Sequence, residues 1–279
     1  MKKWTTLLAA ATLALGLAAC DEKAAPVNKD VVEKSDITLQ EVFEKSLKIS
    51  EELKSVKAVV EMDQEMHLPS EDLNFDSSSQ IEMEYIIEPL QMHQKGTTTL
   101  ISADGEENPM EIEAYMTDDS FYMFEGTAGQ WMKFPEAMMG ELMSAADQTK
   151  PSDQLKMIKD YLKDFTFEQD DNNYILTLEA SGEKFTELVQ AQANEALQNM
   201  AGEVGELDMD LAINSVNYLI HIDKESFQTT KVDVDMDMDM TIDGETMNLK
   251  QNVKSDFSSF NEVEKIVIPQ EVIDSAVQI

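Results

Sequence analysis

The sequence predicts an α+β fold in which an antiparallel sheet, wet on one face, is covered on the other by amphipathic helices. Three observations carry this. The stretch KVDVDMDMDMTID, Lys231 to Asp243, alternates Val232, Val234, Met236, Met238, Met240 and Ile242 with Asp233, Asp235, Asp237, Asp239, Thr241 and Asp243. Successive strand side chains point to opposite faces, so period two makes one acidic and one apolar face, whereas a helix scatters both sets around its cylinder. Further period-two segments recur between turn residues, and several stretches carry apolar residues at helical spacing. A strand with one apolar face needs a cover.

The N-terminus is read first. Lys2 and Lys3 precede an apolar stretch, Leu7 to Ala19, too short for a permanent membrane span but suited to a cleaved signal peptide, residues 1–19. It ends in Leu17-Ala18-Ala19-Cys20, which resembles the lipobox of bacterial lipoproteins. That resemblance implies a thioether-linked diacylglyceryl, with palmitate-type chains, on Cys20. Two or three acyl chains anchor stably where one is marginal. Asp21 resembles a signal for staying on the inner membrane, so the expected location is the extracytoplasmic face of the plasma membrane. Cys20 is the single cysteine, which excludes an intrachain disulfide. Residues 20–35 are polar and aperiodic, and predict a lipidated tether holding the domain about 20 Å from the headgroups.

A single domain is expected over 36–279. Thr38 and Glu41 form a capping-box pair, and Leu39, Val42, Phe43, Leu47 and Leu53 share one helical face. From Val56 the period is two: Ala58 to Met66, Ile81 to Ile87, Leu90 to Ser102, Met110 to Met116, Phe121 to Phe124 and Trp131 to Phe134, broken by Pro69-Ser70, Glu88-Pro89, Asp104-Gly105 and Gly126 to Gly129. Helices are predicted at 136–146, 152–163 and 183–200, and strands at Phe165 to Phe167 and Tyr174 to Leu178. Leu207 to Ile213 puts apolar residues at odd positions and Val216 to Ile222 at even ones, which predicts a β-bulge near Asn214-Ser215. Asp243-Gly244 predicts a hairpin turn, Met247, Leu249, Val253 and Phe257 the returning strand, and Ile266 to Pro269 a short closing apolar segment.

Composition excludes several functions. With 56 acidic against 21 basic residues and a net charge of −35, the chain lacks what nucleic-acid binding needs. The common catalytic motifs are missing, and His67, His93 and His221 share no pattern, so no catalytic residue, cofactor or metal is assigned. The ladder Asp233, Asp235, Asp237 and Asp239 is expected to be exposed and mutually repelling. Same-face strand neighbours lie about 7 Å apart, too far for two to clasp one Ca²⁺ without loop ligands. Met236, Met238 and Met240 could in principle offer thioethers to Cu(I), but they share a face with valine and isoleucine, which suits an adaptable apolar lining better.

The lipobox, the helix running into LKSVKAVVEM, the piece GQWMKFP at Gly129 to Pro135, the internal helices and the closing strand through Phe257 into Ile268-Pro269 together resemble lipoproteins of the LolA and LppX/LprG superfamily, in particular an uncharacterised Gram-positive branch. The resemblance implies a strongly curved antiparallel β half-barrel with helices covering its concave face, and an apolar cavity between them that carries lipids or lipoproteins. The expected function is therefore a non-enzymatic cell-envelope lipoprotein that binds a lipid or acyl chain, with Val232, Val234, Met236, Met238, Met240, Ile242, Met247 and Leu249 lining its cavity. The alternative is a structural or assembly lipoprotein with a filled core, acting on an envelope protein partner through its acidic surface. An apolar void of several hundred Å³ separates the two.

Overall fold

The structure, a computed structural model, describes residues 23–27, 36–68, 73–102, 105–140, 151–180, 209–242 and 244–278. The helix expected at 183–200 lies outside them, as does most of the one expected at 136–146.

Helix α1 (Leu39–Glu51) starts where the capping box forms: Thr38 Oγ1 accepts from the Glu41 backbone N–H at 3.3 Å, and the Thr38 N–H donates to Glu41 Oε2 at 2.9 Å. Two otherwise orphaned donors are satisfied this way. Strands β2 (Ser55–Leu68), β3 (Leu73–Ile86), β4 (Gln91–Ile101), β5 (Glu107–Met116), β6 (Phe121–Glu125) and β7 (Gln130–Lys133) follow as an antiparallel meander. Next come α2 (Pro151–Ile158), a 3₁₀ turn (Lys159–Asp164), β8 (Thr166–Gln169) and β9 (Asn173–Ala180). Three long strands, β10 (Met209–Asp223), β11 (Thr229–Ile242) and β12 (Glu245–Ser258), complete the sheet, and α3 (Gln270–Ser275) stands near the C-terminus.

With β1 (Ala25–Pro26) and β13 (Val277–Gln278), the thirteen strands among the described residues form one large, open, curved sheet in the order β1-β8-β9-β10-β11-β12-β2-β3-β4-β5-β6-β7-β13. The sheet is mixed rather than wholly antiparallel as expected, because the two-residue strands β1 and β13 pair in parallel with β8 and β7. Both come from near the chain ends, where a short extended segment can dock on an open edge without a hairpin. The docking takes in part of the segment read as a tether: Ala24 is fully buried and Val27 N–H donates to Gln169 O.

Strand β3 begins well before the Ile81 that periodicity marks, since Ser77-Ser78-Ser79-Gln80 pairs with β2 while showing no apolar alternation. In β10 the register shifts between Ile213 and Ser215, where Asn214 takes the extra place; Leu211 and Ile213 before it, and Val216, Ile220 and Ile222 after it, are all buried. The bulge lets a strand whose apolar parity changes keep one face on the core.

Among the described residues the core has three parts. The largest joins Val42 and Phe43 of α1, Leu155 and Ile158 of α2, and Leu176, Leu178, Ile220 and Ile222 of β9 and β10. The second gathers Leu53, Val56, Tyr85, Leu90, Met116 and Met139. The third joins Ile86, Tyr115 and Tyr122 to Ile266 and Val272. Tyr85 and Ile86 are consecutive in β3 and point to opposite faces, so the segment after β12 covers the second face of the meander. The expected wet face is there a buried one.

At Gly96 the sheet leaves no room for a side chain. A Cβ at this position in β4 would stand 2.0 Å from Gln80 O and 2.8 Å from Ile81 Cα, both backbone atoms of β3. Only glycine permits that contact without moving a strand. Gly96→Ala should therefore lower the unfolding free energy by about 3 kcal/mol, while Gly140→Ala, whose added Cβ meets nothing within 4 Å, should not lower it. Urea denaturation of the two variants checks this.

Candidate ligand-binding cavity

A cavity of about 280 Å³ lies between α1, α2 and the sheet. Its floor is the apolar face of four adjacent strands: Tyr218 and Ile220 of β10, Val232 and Val234 of β11, Val253 and Phe257 of β12, and Val56 of β2. The pairings Tyr218 with Val234, Ile220 with Val232, and Val234 with Val253 bring these side chains onto one face. Ile49 and Leu53 near the end of α1, Leu155 and Ile158 of α2, and Phe260 make the remaining wall. The helix is held over the strand by Ser46 Oγ, 3.1 Å from Thr229 Oγ1.

Among the described residues no residue of the wall is charged. Its polar groups are the side chains of Ser50, Tyr218, Gln228, Thr229 and Ser255. Burial pushes the Tyr218 phenol pKa up, so it stays a neutral donor.

Of the residues expected to line a cavity, the structure places Val232 and Val234 in the wall. Met236 and Met238, further along β11, pack against the largest core cluster. Leu249 is buried opposite Met238, and Met240 and Met247 are paired and half-buried. The Ile242 side chain lies outside what the structure describes. Leu53, Leu155 and Ile158 were legible as helix faces, and Tyr218 and Ile220 as inward strand positions. Phe260 had no signal: it sits between Ser259 and Asn261, both at positive φ (51° and 63°), a local backbone turn that no apolar period announces.

The acidic ladder is more structured than mutual repulsion implies. Across the β11–β12 hairpin, Asp233 faces Lys254, Asp235 faces Asn252, Asp237 faces Lys250 and Asp239 faces Asn248. Asn248 Nδ2 donates to Asp237 Oδ1 and Asp239 Oδ1, at 2.9 Å each, and Asn214 Nδ2 reaches the same two carboxylates at 3.0 and 3.2 Å. Asn252 donates to Asp235, and Lys231 pairs with Asp233 at 3.1 Å. Counting outward from the Gly244 turn finds this amide and lysine row in the sequence. Among the described residues no three His, Cys, Asp or Glu side chains come together as a metal site.

On the opposite face, between β4 and β7, a groove of about 320 Å³ has charged and aromatic walls, among them Lys95, Glu111, Glu113, Phe124 and Trp131. His93 stacks on Tyr115 with ring centroids 4.3 Å apart, and both reach Glu113 Oε1, at 3.2 and 2.8 Å. Burial raises the Glu113 pKa, but the hydrogen bonds from Tyr115 and His93 and the Lys95 charge outweigh it and hold it below the usual range.

Residues 38–277 match DUF6612, a family of unknown function. The chain belongs to that family. No curated protein matches it. Among solved structures, a DUF1329 family protein from Desulfovibrio piger is 9% identical, with 82% of this chain and 95% of that one covered at a TM-score of 0.23. A β-barrel-like protein of the DUF1849 domain from Brucella abortus is 12% identical, with 74% and 99% covered at a TM-score of 0.18. At such scores neither likeness carries weight for fold or function. No helix among the described residues is long and apolar enough to cross a membrane.

The ladder makes a pH-dependent contribution. Hydrogen bonds from Asn214 and then Asn248 hold the Asp237 carboxyl below the usual range. A lowered folded pKa means stabilisation that is present above the unfolded value of about 3.9 and fades as pH falls through the folded one. Asn248→Ala should cost about 1 kcal/mol at neutral pH, and the difference from the unmutated protein should narrow once pH falls below about 4. Urea titrations at the two pH values measure both.

Proposed function

We propose that this protein is a lipid-anchored envelope lipoprotein, non-enzymatic, whose cavity between α1, α2 and the sheet holds an apolar ligand such as a lipid or acyl chain. The observation that carries this is the cavity itself: about 280 Å³ with a wall that is uncharged among the described residues, close to the small end of ligand sites at about 300–1,000 Å³. A core that only stabilises a fold closes to voids little larger than a water molecule. The half-barrel resemblance to LolA and LppX/LprG lipoproteins supports the same reading. Met236, Met238, Met240, Met247 and Leu249 continue the apolar face of Val232 and Val234 as a lane along which a chain of variable length can lie, since methionine adapts its shape.

The anchor is Cys20, on the extracytoplasmic face of the plasma membrane. Residues 23–27 are held at the sheet edge: Lys23 bridges to Thr38, and Ala25 and Pro26 pair with β8. Only residues 20–22 then separate the acyl chains from the folded body, a reach of at most about 10 Å. This brings the β1 edge close to the headgroups, a shorter spacing than a free tether over 20–35 gives.

The second reading, a structural lipoprotein acting on an envelope partner, is favoured by the net charge of −35, which suits a surface that meets cations or basic proteins. Two measurements decide. Cys20→Ser should leave the membrane pellet for the medium or persist as precursor; a processed form that resists alkaline extraction would contradict the anchor. Native mass spectrometry of the protein purified from its own host should show a bound apolar mass that Val234→Trp, filling the cavity, abolishes. A bare protein in both cases favours the structural reading.

A further inference from the structure

The polar groups of the cavity wall constrain what it takes. Tyr218 lines the cavity from the centre of β10, yet its hydroxyl has no hydrogen-bond partner among the described residues. The same holds for the hydroxyl of Ser50, which is only 8% exposed, and for the side chains of Gln228 and Ser255. Among the described residues the one fully enclosed side-chain polar atom without a partner is Asp233 Oδ1, outside this wall. The hydroxyls of Ser50 and Tyr218 therefore reach open space. A polar group in an apolar setting costs free energy until it is hydrogen-bonded, so such groups mark where a ligand's own polar atoms sit.

Charge narrows the class. Among the described residues the wall has no Lys, Arg or His to neutralise a carboxylate or phosphate and no Asp or Glu to pair with an amine. Moving an ion into such a wall costs more than any single neutral hydrogen bond returns. The space, about 280 Å³, is that of one short chain or small ring system rather than of several chains.

We propose that the ligand of this cavity is an uncharged single-chain amphiphile whose carbonyl or hydroxyl oxygen accepts a hydrogen bond from the Tyr218 hydroxyl. This rests on the ligand-binding reading above and goes beyond it by assigning the head group and the residue that selects it. Ser50 and Gln228 supply the neighbouring neutral donors and acceptors.

The experiment uses N-phenyl-1-naphthylamine, an uncharged apolar dye, as the reporter, displaced by monodecanoylglycerol or by decanoate at about pH 8, where a carboxylic acid is ionised. Monodecanoylglycerol should displace the dye at least about tenfold more tightly than decanoate. Tyr218→Phe should weaken monodecanoylglycerol by about three- to tenfold relative to the dye without lowering Tm, and Ser50→Ala should act in the same direction more weakly. Decanoate binding as well as the ester overturns the uncharged class. Unchanged ester affinity in Tyr218→Phe, or a fall in its Tm that reveals a protein partner for the hydroxyl, overturns the role of Tyr218. Failure of the dye to bind at all instead removes the ligand-binding reading on which both depend.

Discussion

The pairing of β11 with β12 is the constraint on which the rest of the structure depends. Each strand has two faces with opposite requirements, and one register satisfies both: Met238 lies opposite Leu249 and Met240 opposite Met247 on one side, while Asp237 meets Lys250 and Asp239 meets Asn248 on the other. A slip by one residue would turn the aspartates toward the core and the methionines outward. The cost of burying unpaired carboxylates makes that alternative prohibitive. β11 lies between β10 and β12 in the middle of the order, so its register is passed to Tyr218 and Ile220 on one side and to Val253 on the other.

The cavity is a consequence of how the helices meet that floor. α1 is tied to β11 through Ser46 and Thr229 and drives Val42 and Phe43 fully into the core with Leu176 and Ile220. Towards its C-terminal end, where Ile49, Ser50 and Leu53 face β2, β10 and β12, the packing is not closed. On the β3–β4 pair, by contrast, Gly96 leaves no room for even a methyl group.

Charge is partitioned by the same geometry. Among the described residues no carboxylate lines the cavity, and on the ladder the aspartates are interleaved with amides and lysines. The acidic outside and the neutral inside are thus the two faces of one alternating pattern. A neutral wall discriminates against ions through their desolvation, without a dedicated recognition group.

The sequence by itself determined the elements whose cause is local. The alternation of β11 declared a strand with unlike faces; Thr38 and Glu41 marked the start of α1; and the parity change around Asn214 located the bulge in β10. It also held the cross-strand row Asn248, Lys250, Asn252 and Lys254, legible by counting from the turn. Tertiary structure alone decided the rest. Ser77 to Gln80 is a strand because β2 lies beside it, not because its side chains alternate. Two-residue strands at the sheet edges carry too little pattern to be read, and the segment after β12 covers the second face of the meander through scattered residues such as Ile266 and Val272. The cavity is the clearest case. Periodicity tells which face of α1, α2 and β11 is apolar, but a void is the small gap left when elements far apart in the chain approach a common floor. Its size depends on distances between them that no local pattern encodes.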